Sequence, residues 1–98
     1  MIYLPITFQL IGQTWTIRAA NQFELVDDLG LCNPDQLEII INPNQAEDSM
    51  LHTILHEIIH SIELKLCLEL TERQVDLLAL GILDLLKSNR DFIVKEMI

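Results

Sequence analysis

Basic residues are scarce in this 98-residue chain: six Lys and Arg stand against fifteen Asp and Glu, a formal net charge of −9. Such a balance repels phosphate, so neither nucleic acid nor an anionic membrane is an expected partner. Five aromatic residues are too few for base-stacking platforms. Gly and Pro number three each, and no linker, internal repeat or low-complexity stretch divides the chain. No run of eighteen uncharged apolar residues occurs, so no transmembrane helix is expected. The opening MIYLPITFQL has no basic n-region and carries Pro5, so it does not read as a signal peptide. Cys32 and Cys67 lack C-x-x-C spacing; without an export signal the expectation is two reduced, buried thiols in a cytoplasmic protein. A zinc-ligand role for either cysteine is the lesser alternative.

What is present is apolar. Half of the residues are hydrophobic and mean hydropathy is +0.31, which excludes intrinsic disorder. The length suits one domain, residues 1–98, with a single two-layer core. Ile6 to Ile11 and Thr14 to Arg18, around Gly12-Gln13, read as a β-hairpin. Asn21 to Gly30 is ambiguous, with Asp27 to Gly30 resembling a turn, and Asn33-Pro34-Asp35 is a further turn signal. Leu37 to Ile41 reads as a third strand, ended by Asn42-Pro43-Asn44.

From Asn44 the period changes. Asn44 and Glu47 have capping-box spacing, and Glu47 and Asp48 suit the positive end of a helix dipole. Leu51, Ile54, Leu55, Ile58, Ile59, Ile62 and Leu66 share one arc, the expected core side of a helix over about 45–66. Thr71 with Gln74 caps a second helix that runs to about Ser88, and Phe92 to Met97 forms a last turn or two. The fold class is therefore α+β, a small antiparallel sheet packed on two helices. Apolar residues spread around most of the second helix, more than one core can cover, so a homodimer is expected.

Residues 56–60 are His56-Glu57-Ile58-Ile59-His60, an H-E-x-x-H motif. Histidines at i and i+4 project from one helix face, about 40° apart and about 6 Å along the axis. Their imidazoles can then share one zinc ion. Glu57 is placed to take a proton from water on that ion rather than to bind it. A shuffled chain of this composition contains the motif roughly 0.7 % of the time, but H-E-x-x-H also turns up in many unrelated helices, so the motif needs the residues around it to carry weight. A catalytic zinc of this kind takes a third protein ligand. Glu72 and Asp76 lie one turn apart on the second helix, with the small Ala79 continuing their face. Read alone, Glu72 is a first-turn acid favoured by the helix dipole. Beside H-E-x-x-H it completes a His₂Glu set, and Asp76 suits the second ring N–H of a ligating histidine.

His56-Glu57-x-x-His60 followed by Glu72-x-x-x-Asp76 resembles the gluzincin pattern. More closely, LHTILHEIIHSIELKLCLELTERQVDLLALGILDLL resembles small metallopeptidases found in phages and prophages. The resemblance covers about residues 37–88. It implies zinc ligands His56, His60 and Glu72, catalytic base Glu57, supporting Asp76 and a peptide or protein substrate. It also implies that the Leu37–Ile41 strand is the edge along which the substrate lies. Two departures stand out: only twelve residues separate His60 from Glu72, and Cys67 replaces a frequent glycine, leaving the first helix without its usual left-handed end residue. The sequence has one tyrosine, Tyr3, and for an oxyanion donor it offers His52 or Arg73, each of which reads first as a surface residue. The expected function is zinc-dependent peptide hydrolysis; the alternative is a zinc-binding regulatory or interaction domain without turnover.

Overall fold

The computed structural model describes residues 2–25 and 28–98. Its strands are β1 (Ile6–Leu10), β2 (Gln13–Ala19), β3 (Gly30–Asn33) and β4 (Glu38–Ile41), followed by the helices α1 (Glu47–Lys65), α2 (Glu72–Ser88) and α3 (Arg90–Phe92) and a π-helical turn, Ile93–Met97. The class is α+β. The sheet, however, is mixed rather than antiparallel: the order is β1-β2-β4-β3, and β2 runs parallel to β4.

The hairpin forms as its residues dictate. Ile11 and Gly12, both at positive φ, make the two-residue turn between Leu10 and Gln13. β3 and β4 make a second hairpin through residues 34–37, in which Leu37 takes φ +52, so the strand starts at Glu38. β4 is central because Ile39, Ile40 and Ile41 are all buried, as on a strand covered on both faces. This overturns the expectation that Leu37–Ile41 is the edge; the edge on that side is β3. Gly30 opens β3 instead of closing a turn, while Asp27, within that expected turn, lies outside the described residues.

α1 packs on both layers. Ile54 and Ile58, with Met50, meet Trp15, Ile17, Ile39 and Ile41 of the sheet, whereas Leu55 and Ile59 meet Val75 and Ala79 of α2. The expected single apolar arc is thus divided, and Leu66 is exposed. Thr53, Glu57 and Ser61, outside that arc, are buried. The start of α1 also departs from expectation. Ala46 is the N-cap without a side-chain bond, and Asn44 lies outside the helix, where its N–H donates to Asn42. Gln45 fastens the entry instead: its Nε2 donates to the Leu29 and Asn42 carbonyls, and its Oε1 accepts from Ser49 and Thr53. That ties the helix start to the beginning of β3.

Gly30 allows the close contact between β3 and α1. A Cβ there would stand 2.6 Å from Thr53 Cγ2 and 3.3 Å from Glu57 Cγ. Gly30→Ala should therefore cost about 1–3 kcal/mol of stability by overpacking, read as a lower urea midpoint at unchanged slope.

The α1–α2 turn is short because α1 ends in a Schellman motif. The Leu68 N–H donates to the Glu63 carbonyl, and Cys67 adopts φ +54. Cys67 is exposed rather than buried, and it takes the left-handed conformation without being glycine. Cys67→Gly should raise stability by roughly 1 kcal/mol by removing the Cβ penalty, measurable by thermal or urea unfolding. α2 begins as expected, with a Thr71–Gln74 capping box. Among the described residues no helix is long and apolar enough to cross a membrane.

Candidate metal centre

His56 and His60 face α2 from α1, and the short turn brings Glu72 directly opposite. Glu72 Oε2 lies 3.2 Å from His56 Nε2, and Glu72 Oε1 lies 2.8 Å from His60 Nε2. One ligand atom from each of the three lies within 4.8 Å of the others. The close approach of α2 rests on Val75 and Ala79, both fully buried. The two rings sit edge to face, with centroids 4.9 Å apart.

The remaining ring nitrogens have acidic neighbours. His60 Nδ1 is 3.0 Å from Glu63 Oε1, and His56 Nδ1 is 3.6 Å from Asp76 Oδ1. A carboxylate that accepts the Nδ1–H of a histidine frees its Nε2 lone pair for a metal. Asp76 lies beside the His56 ring but beyond hydrogen-bond distance, and its Oδ1 is nearer His52 Nε2, at 3.3 Å. Glu63 is within hydrogen-bond distance of His60 for this, whereas both Nε2 atoms also face Glu72. Glu63 is the residue that sequence reasoning missed in this role. Its second oxygen accepts the Leu70 N–H at 2.7 Å, fixing the turn and the histidine together. This backbone bond, with His60 beside it, holds the Glu63 carboxyl below the usual carboxylate range. Its position three residues after His60 was the available signal.

Glu57 faces β3 instead of α2. It is only 7 % exposed, lines the same cleft and has no side-chain hydrogen-bond partner among the described residues. Burial pushes its pKa up, against the pull of His60 and His56 and with the push of Glu72 and Asp28.

These groups border a cleft of about 800 Å³ between α1, α2 and the β3 edge. Its acids are Asp28, Glu57, Glu63, Glu72 and Asp76, and neither Lys nor Arg is among its described lining residues. Such a donor set, two imidazoles and a carboxylate in an acidic cleft, fits a divalent cation. Cys32 lines the cleft too but pairs its Sγ with Ser61 Oγ at 3.2 Å, and burial raises its pKa. Neither cysteine joins the convergent group. Of Tyr3, His52 and Arg73, only His52 lines the cleft, with its Nε2 3.3 Å from Asp76 Oδ1. Tyr3 and Arg73 are exposed and lie outside the described lining. No protein-family model, curated protein or solved structure matches the chain.

Proposed function

We propose that this protein is a minimal zinc-dependent peptidase. His56, His60 and Glu72 hold one zinc ion, Glu57 is the general base, and Glu63 orients His60 while Asp76 stands beside His56. The observation that carries the reading is the convergence of both Nε2 atoms and the Glu72 carboxylate beside a buried carboxyl group with no hydrogen-bond partner of its own among the described residues. Zinc bound there supplies Lewis acidity, lowering the pKa of water toward about 7 and polarising a peptide carbonyl. Glu57 accepts a proton from the attacking water at a carboxylate oxygen and delivers it to the departing amine nitrogen. A C–O bond forms as the C–N bond breaks. β3, paired on one side only among the described strands, offers its free backbone groups to an extended substrate beside the cleft.

One observation favours the second reading, a zinc-bound interaction module without turnover. His52, the cleft's sole candidate oxyanion donor among the described residues, already faces Asp76. The test is a mass-spectrometric screen of unfolded proteins and peptides with zinc-loaded and chelator-treated protein. Products that appear only with zinc support the peptidase. No products across a broad screen overturn it in favour of the module.

A further inference from the structure

The cleft carries more negative charge than a metal and a base require. Four of its acids have a task or a neighbour in the proposed site. Glu72 is a ligand and Glu57 the base. Glu63 Oε1 is 3.0 Å from His60 Nδ1 and its other oxygen accepts the Leu70 N–H, while Asp76 Oδ1 is 3.3 Å from His52 Nε2. The fifth, Asp28, is left over. It lines the cleft two residues before β3 begins, is exposed, and has neither a hydrogen bond nor an ion pair among the described residues.

Asp28 also stands at the reacting end of the cleft. Glu57 Cγ lies 3.3 Å from where a Cβ on Gly30 would stand, and Asp28 is two residues from that glycine. Glu57 lines the same cleft, is 7 % exposed and has no side-chain hydrogen-bond partner among the described residues. A buried polar group that its own chain leaves unpaired is completed by what enters the cleft. Like charges gathered on an enclosed surface repel, and an arriving cation relieves that repulsion. One divalent metal at His56, His60 and Glu72 does not neutralise five carboxylates, and neither Lys nor Arg is among the described lining residues.

The rest of the lining indicates which cation. Leu29, Leu31, Leu64 and Leu68, 43–56 % exposed, border the same space. An inorganic ion gains nothing from such surface. A Lys or Arg side chain does, because its methylene stem lies along apolar groups while its charged head meets a carboxylate. A peptide added along β3 brings such side chains past the start of that strand, where Asp28 stands.

We infer that the cleft selects extended peptide segments with Lys or Arg beside the attacked bond and that Asp28 determines this specificity, which rests on the peptidase reading and names its substrate class.

Fluorescence anisotropy with zinc-loaded Glu57→Gln protein reads binding without turnover. The probes are a labelled Ala/Ser peptide with adjacent central lysines and its twin with norleucine in those places, which keeps the stem and removes the charge. The lysine peptide should bind roughly 3–10-fold more tightly at low ionic strength, and the margin should shrink at about 1 M salt. Adding Asp28→Asn should remove the margin with circular dichroism and zinc content unchanged. Glu96→Gln, the same charge change at an exposed acid outside the described lining, should keep it. Equal affinities, a margin indifferent to Asp28→Asn, or a second zinc equivalent that Asp28→Asn abolishes would overturn the inference. Cleavage of both peptides by zinc-loaded wild type is read separately. Products without a binding margin leave the peptidase standing and refute the selectivity; a margin without products supports the selectivity and removes the turnover.

Discussion

Glu57→Gln should lower peptide turnover by at least ~100-fold while leaving zinc content and melting temperature near wild type. General-base transfer contributes about 10²–10⁴-fold, and glutamine keeps the shape that fits against Gly30 without the ability to accept a proton. Glu57 touches neither imidazole as a ligand: the three convergent groups are His56, His60 and Glu72. Metal content therefore separates loss of the base from loss of the site. The rate profile should change as well. Burial raises the Glu57 pKa, and the base works only when deprotonated. Wild-type activity should therefore fall on the acid side as Glu57 takes up its proton, and this contribution should be missing from any residual activity of Glu57→Gln. Equal product yields from wild type and variant would remove Glu57 from the mechanism.

His60→Ala should release the metal. Of the three proposed ligands His60 has the closest partners, with Glu72 2.8 Å from Nε2 and Glu63 3.0 Å from Nδ1. Outer-shell partners of a ligating histidine typically account for about 10–100-fold in metal affinity. Glu63→Gln should fall in that range, and His60→Ala should exceed it. A competition titration against a chromophoric chelator measures both. The order matters more than the absolute values: a His60→Ala affinity equal to wild type would exclude the ligand set. A Glu63→Gln affinity equal to wild type would exclude only the orienting role.

The site was more legible in the sequence than the sheet was. Helix geometry alone places His56 and His60 together, and capping chemistry at Thr71 starts α2 where Glu72 and Asp76 face them. These are short-range regularities with a fixed period. The parallel pairing of β2 with β4 has no such local signal, since β3 lies between them in sequence but outside β4 in space. The run Ile39-Ile40-Ile41 was the available clue, because three consecutive buried residues fit a central strand better than an edge. β3 itself contains only Gly30 to Asn33 and overlaps two turn signals, so propensity argued against it. Its glycine marks the close packing that buries Thr53 and Glu57. Glu63 was visible on the polar side of α1, but its bond to the Leu70 N–H depends on how the turn folds back.

The proposed function requires one metal ion held between α1 and α2. Metal analysis of the purified protein after zinc loading and exhaustive dialysis tests it most directly, alongside the variant lacking all three ligand side chains, His56→Ala/His60→Ala/Glu72→Ala. The arrangement predicts one zinc per chain in wild type and none in the variant. A wild-type protein that retains no zinc, or a triple variant that retains one equivalent, would contradict it.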